Sequence, residues 1–254
     1  MLNTGKGERE GFLASISLHR QYIERDDVYP FNLPILRGFK QLNLHPSVTY
    51  LIGENGSGKS TLLEAMAVKA GFNPEGGTKD MQFATYESHS ELYSHLRLQR
   101  NYRKERDGFF LRAESFYNVS SELDRREREY GRALRHYGEK SLHMQSHGEA
   151  FLSLINYRFG DESLFFLDEP EAALSPARQL SLLVQIDRLA NFGSQFIIAT
   201  HSPILMSYPN STMYFLSEEG ITETTWTETE HYQLTKTFLN APEAFLKRLF
   251  VEPK

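Results

Sequence analysis

Apolar residues along the chain change their spacing several times, and each change marks an element. Val48-Thr49-Tyr50-Leu51-Ile52 is rich in β-formers and ends at Gly53, which predicts a buried strand. After a glycine-rich loop, Leu62, Leu63, Met66, Ala67 and Ala70 fall on one helical face, and Gly71 and Pro74 end that helix. Gly76-Gly77 predicts a loop over 75–80. From 88 to 104 the spacing reads as helical, with Leu92, Tyr93 and Leu96 on one side. Residues 109–113 read as a short strand, and 121–140 as a charged helical stretch broken near Gly131 and Gly138. Phe151, Leu152, Leu154 and Ile155 mark an amphipathic helix that starts near Gly148. Residues 163–167 are apolar without alternation, the pattern of a strand buried on both faces. A helix is predicted over 177–190, its apolar side made of Leu180, Leu183, Val184 and Leu189. A third buried strand spans 195–200. Residues 213–216 and 221–226 flank Ser217-Glu218-Glu219-Gly220 as a hairpin, and a last helix carries Phe245, Leu246 and Phe250.

Strands alternating with helices predict an α/β fold with a parallel sheet and right-handed crossovers. Ligands of such sheets bind beyond the carboxyl ends of the strands. With 254 residues, 40% of them hydrophobic, the chain suits one sizeable globular domain. We expect a single domain, with a core lobe over about 1–82 and 150–254 and a helical lobe over about 83–149. No apolar run approaches the roughly 20 residues of a membrane span. Lys6, Glu8, Arg9 and Glu10 precede only a brief apolar stretch at 12–18, a poor secretory leader, and Leu2 does not suit N-myristoylation. Absence of cysteine removes disulfides and thiolate metal sites. A cytoplasmic protein is the expectation.

The net charge is −5, so the chain as a whole is not built to attract nucleic acid. Residues 83–149 are nonetheless charge-dense and balanced, with 12 Lys+Arg against 11 Asp+Glu. That balance reads as a solvated surface laced with ion pairs.

Two strand ends carry chemistry. Gly53-Glu54-Asn55-Gly56-Ser57-Gly58-Lys59-Ser60 fits G-x-x-x-x-G-K-[ST], with a strand before it and a helix after it. Glycines let backbone N–H groups turn toward phosphate oxygens, and the helix directs its positive end at the same anion. Lys59 is expected to reach the β- and γ-phosphates of ATP, Ser60 to ligate Mg2+, and Thr61 to help hold the α-phosphate. A chance match in a chain this long is on the order of 1 in 100, so a mere Gly/Ser turn is the weaker reading. The second strand end is Leu164-Phe165-Phe166-Leu167-Asp168-Glu169-Pro170. Asp168 is placed to hold the hydrated Mg2+, and Glu169 to orient and deprotonate an attacking water. Alone, this string would also read as an acidic turn.

In order and spacing these motifs resemble the ABC-type ATPase superfamily. Ser146-His147-Gly148-Glu149 resembles the S-x-G-[QE] core of that family's signature, Ala173-Leu174-Ser175-Pro176 its D-loop, and His201 its switch histidine. The resemblance implies a P-loop NTPase fold: a parallel core sheet flanked by helices, an N-terminal β subdomain and a helical signature lobe. It also implies two subunits facing head to tail. Ser146, Gly148 and Glu149 of one then close over the ATP held by the other, and His201 bonds the γ-phosphate. His147 stands where the family has glycine. No convincing Q-loop glutamine is present: Gln82 follows closely on the P-loop, and Glu114 sits nearer the expected distance and is carried as a metal-facing residue. Tyr29 or Phe31 would stack on adenine, or belong to the core.

The apolar string 150–155 after the signature looks more like the soluble branch, which includes chromosome-maintenance, RecF-like and overcoming-lysogenisation-defect ATPases, than like transporter subunits. The gap between P-loop and signature is short for a coiled coil, and about fifty residues follow His201, fewer than a nuclease domain needs. Any effector is therefore expected to be a separate protein. Three functions remain open: an ATP-gated dimeric switch in DNA maintenance or defence, an ATPase subunit of a membrane transporter, and a low-turnover ATP-binding regulator of a protein partner. Arg97, Arg100, Arg103, Lys104 and Arg106 form a basic cluster that mildly favours nucleic acid, or is simply a solvated face.

Overall fold

The computed structural model describes residues 10–81, 90–131, 133–138 and 140–250. Gln82 and the charged start Lys6, Glu8 and Arg9 lie outside the described residues. In chain order the strands are β1 (Leu13–Leu18), β2 (Gln41–Asn43), β3 (Val48–Gly53), β4 (Leu96–Arg100), β5 (Asp107–Arg112), β6 (Ser163–Asp168), β7 (Gln195–Ala199), β8 (Ser211–Ser217) and β9 (Gly220–Thr224). The α-helices are α1 (Lys59–Lys69), α2 (Leu92–His95), α3 (Phe116–Tyr130), α4 (His147–Arg158), α5 (Pro176–Asn191), α6 (Glu230–Asn240) and α7 (Pro242–Leu249).

The continuous apolar runs become the middle of one six-stranded sheet, in the order β5-β6-β7-β3-β8-β9. Its first five strands run parallel, and β9 returns antiparallel to β8 through the turn read from Glu218-Glu219. Side chains alternate across the pleat. Tyr50, Phe109, Phe165 and Phe196 therefore face α3, α4 and α5, while Leu51, Phe110, Phe166 and Ile197 face α1 and a smaller sheet. Both faces are covered, which is why the strands carry no polar alternation. The smaller sheet is antiparallel, in the order β2-β1-β4, and forms the N-terminal β layer.

Three expectations are corrected. The helix expected over 88–104 is a short turn of helix, α2, followed by strand β4. Leu92 and Leu96 are four apart and mimic a helical face. Leu96 and Leu98 also alternate, however, and the partners Leu18 and Ile16 on β1 take them as a strand. So β4 and β5, both inside the segment expected as a helical lobe, belong to the two sheets. In α5 the buried face is Gln179, Leu182, Ile186, Leu189 and Ala190, whereas Leu180 and Val184 are 56% and 66% exposed. Counting apolar residues alone rotated that face. Buried Gln179 is tolerated because its amide donates to Leu174 O at 3.1 Å and accepts from Ser202 Oγ at 2.5 Å. Finally, the last helix is preceded by another, α6. Neither α6 nor α7 has a buried residue, and the two meet through Phe238 and Phe245, ring edge to ring face.

Candidate nucleotide site

Loop 54–58 links β3 to α1 at the carboxyl edge of the sheet. Glu54, Asn55 and Gly56 are exposed, while Lys59 is buried in the first turn of α1. Gly58 has φ +95, a conformation that side-chain-bearing residues rarely adopt, so the backbone there calls for glycine. The Lys59 ammonium folds back onto the loop, donating to Gly53 O and Glu54 O at 2.9 Å each. Burial pulls its pKa below the ordinary lysine value, and the nearby carboxylates of Glu169, Asp168, Glu54 and Glu171 oppose that pull. Ser57 Oγ is buried with no hydrogen-bond partner among the described residues. A cleft of about 370 Å³ opens beside the loop, between Asn55, Gly56 and Ser57 on one wall and Phe215, Ser217 and Glu218 of the β8–β9 hairpin on the other.

Ser60 Oγ donates to Asp168 Oδ1 at 2.9 Å, joining residues 108 apart in sequence. Asp168 ends β6, and burial pushes its carboxyl up to about 6 against the opposing pull of Ser60 and Arg112. A cation beside it would favour the ionised form. A serine hydroxyl and one carboxylate at this separation fit a hard divalent ion that keeps most of its waters, as Mg2+ does. Among the described residues no cluster of three or more His, Asp or Glu is disposed to grip a metal without such waters.

Glu169 follows with φ +48 and ψ +51, the left-handed region, which costs a non-glycine residue roughly 1–2 kcal/mol. Its backbone N–H is tied to Ala199 O at 2.9 Å, and Pro170 starts the next turn. The kink turns the Glu169 carboxylate toward His201, with Oε1 3.6 Å from Nε2. His201 follows β7. Its backbone N–H donates to Glu171 Oε1 at 2.5 Å, and its Nδ1 lies 3.1 Å from His231 Nε2. Burial and the Lys59 cation hold the His201 pKa below its ordinary value, against Glu169. Glu171 is pushed up by burial.

The signature-like residues lie elsewhere. Ser146 caps α4 and is exposed, and the Glu149 carboxylate turns back to accept from Ser146 N at 3.0 Å and Ser146 Oγ at 2.5 Å. Those bonds hold the Glu149 carboxyl below the usual range. Gly148 is buried against residues 173–178: a Cβ there would meet Arg178 Nη1 at 2.1 Å and Ala173 O at 2.8 Å. His147, at the signature position the sequence marks as departing from glycine, meets Phe116 in an edge-to-face contact. Among the described residues no hydrogen bond or ion pair joins 146–149 to 53–61.

Sequence reasoning missed four participants. Arg112 pairs with Glu64 at 2.5 Å and faces Asp168 Oδ2 at 3.8 Å. Through Arg112, Glu114 comes near Asp168, but its side chain is 87% exposed and touches neither Asp168 nor Ser60. Glu171 and His231 both hold His201. Only Glu171, in the acidic string after Asp168, left a trace in sequence. Tyr29 reaches the P-loop helix, its hydroxyl 3.2 Å from Thr61 Oγ1 with the ring exposed, whereas Phe31 packs on His95. The basic cluster is largely spent within the chain: Arg100 pairs with Glu105, and Arg103 and Arg106 both pair with Glu162.

Residues 85–207, a little under half of the chain, match the family model described as AAA domain, putative AbiEii toxin, Type IV TA system. The matched stretch contains Ser146, Asp168, Glu169 and His201, and the P-loop precedes it. Over that stretch the chain is similar to an AAA domain. Its own fold is α/β, with a G-x-x-x-x-G-K-S loop joining a parallel strand of the large sheet to a helix. Among solved structures, the SMC head domain from Thermotoga maritima is 15% identical with a TM-score of 0.41, covering 84% of this chain and 98% of its own. The cbiO1 protein from Clostridium perfringens, part of the ABC transporter complex cbiONQ, is 18% identical with a TM-score of 0.48, covering 92% and 98%. No curated protein matches the chain. Among the described residues no helix of the P-loop domain is long and apolar enough to cross a membrane.

Proposed function

We propose that the chain binds Mg-ATP at 53–61 and hydrolyses it, as a switch that closes between two copies and acts on a separate effector. The observation that carries this reading is the Ser60–Asp168 bond, which brings the phosphate loop and the acidic strand end to one point. Lys59 would exchange its loop carbonyls for phosphate oxygens, and bound Mg2+ would neutralise phosphate charge beside Ser60 and Asp168. Glu169 would take a proton from water, and His201 would donate to the γ-phosphate from Nε2, the nitrogen on the Glu169 side. The chain's 146–149 segment would complete the site of a second copy. Glu114, expected to face the metal, is paired with Arg112 and exposed, and has no part in this reading. The family description, which names a type IV toxin–antitoxin system, supports a role in defence with a separate protein partner. The paired arginines favour a protein effector over DNA.

The test is the steady-state ATPase rate against protein concentration, with and without single- and double-stranded DNA at low salt. A Mg2+-dependent rate per chain that rises with concentration and ignores DNA is expected. No turnover at any concentration would remove the hydrolytic reading, and clear DNA stimulation would restore the nucleic-acid branch.

A further inference from the structure

His231 sits in the first turn of α6, outside every motif assigned above. Its ring meets that of His201 at a centroid distance of 5.2 Å and an angle of 54°, with Nε2 of His231 3.1 Å from Nδ1 of His201. The start of α6 is fixed independently. Trp226 Nε1 donates to Pro203 O at 2.9 Å, two residues beyond His201, and the Thr229 hydroxyl accepts from Tyr232 N at 3.2 Å as the helix cap. Tyr232 packs on Trp226 with ring centroids 4.6 Å apart. His231 is therefore carried to His201 by an anchored helix end.

A hydrogen bond between two imidazole nitrogens needs a proton on one and a lone pair on the other. Two arrangements are possible, and the surroundings separate them. With the proton on His201 Nδ1, His201 Nε2 would present a lone pair to the Glu169 carboxylate 3.6 Å away and, in the proposed reaction, to phosphate. Both are repulsive. With the proton on His231 Nε2, His201 accepts at Nδ1 and carries its own proton on Nε2, facing Glu169. His201 Nε2 is buried and has no hydrogen-bond partner among the described residues, so this donor is kept for something else. The groups around the His201 ring are Lys59, Glu169, Glu54 and His231, with Glu171 on its backbone N–H.

We propose that His231 is a positioning residue: it donates from Nε2–H to His201 Nδ1 and holds His201 as the Nε2–H tautomer, its donor aimed at the γ-phosphate. The proposal rests on the ATPase reading above. A neutral imidazole has one N–H, so the placement of that proton decides whether His201 can stabilise phosphate charge at all. The arrangement parallels metal-site histidines, whose second nitrogen is bonded so that the first is presented correctly.

The test uses the full chain, 15N-labelled at histidine and free of nucleotide, with the His201 signals assigned by their loss in His201→Asn. Wild type should show His201 protonated at Nε2 and bare at Nδ1. His231→Phe should turn this into a mixture of tautomers and lower kcat by on the order of 10-fold with KM for ATP little changed. His231→Gln, whose amide still donates, should restore both the single tautomer and most of kcat. If Gln rescues neither while the fold is intact, the positioning role is wrong. Wild-type His201 protonated at Nδ1 would overturn the proposal while leaving hydrolysis standing. An intact Nε2–H signal without any ATP turnover would instead remove the ATPase reading and, with it, the catalytic part of the proposal.

Discussion

The segments 53–61 and 146–149 each contain the start of a helix, yet they are finished in opposite ways. At the first, Lys59 is buried, its ammonium is held by two carbonyls, and Ser60 reaches a carboxylate 108 residues away. At the second, the capping serine is exposed and its partner, Glu149, lies three residues on. In its side-chain hydrogen bonds, one segment is completed by distant parts of the fold and the other by a residue three positions on. A site closed by distant parts of the same chain needs no second molecule to take shape. A helix start capped by its own carboxylate already has its Ser146 N–H and hydroxyl bound to Glu149, and among the described residues no hydrogen bond or ion pair joins it to 53–61. This difference agrees with a division in which 53–61 holds nucleotide alone and 146–149 works on a second copy.

Three substitutions test that division. The largest effect is expected from Glu169→Gln: loss of the general base should lower kcat by about 10²–10⁴-fold while ATP binding persists, so that dimers accumulate with Mg-ATP in sedimentation runs. A variant that stays monomeric would count against closure between copies. Next is Ser146→Arg. It should leave nucleotide affinity intact, lower hydrolysis by about 10²-fold as a phosphate donor is lost, and remove the dependence of the rate on protein concentration. A wild-type rate would show that 146–149 has no part in the site. The smallest is Lys59→Ala, which removes a charged bond to phosphate worth roughly 1.5–3 kcal/mol. Titration calorimetry should find ATP affinity about 10–100-fold weaker, and equal affinity would place the phosphates elsewhere.

How much of this was legible in the sequence depended on whether a feature is local. The P-loop and the acidic strand end are contiguous strings, and the bond between Ser60 and Asp168 forms where β3 and β6, with β7 between them, end at the same edge of one parallel sheet. Strands 48–53, 163–168 and 195–199 were equally plain, because burial on both faces leaves an unbroken apolar run. β4 was misread because Leu92 and Leu96 satisfy a helical spacing that only the pairing with β1 overrules. The buried face of α5 was misplaced because it contains Gln179, a polar residue made acceptable by two bonds that local sequence does not show. Arg112 and His231 were invisible for the same reason: neither lies in a motif, and each acquires meaning from a partner on another element.

Gly148 bears on how two parts of the molecule are joined. With no side chain at that position, α4 begins in direct contact with the Ala173 carbonyl, and a single added carbon would wedge the two apart. The turn that Gly148 abuts begins at Pro170, directly after the kinked Glu169. The exposed start of α4 and the backbone that aims the Glu169 carboxylate are thus joined by a path only a few residues long.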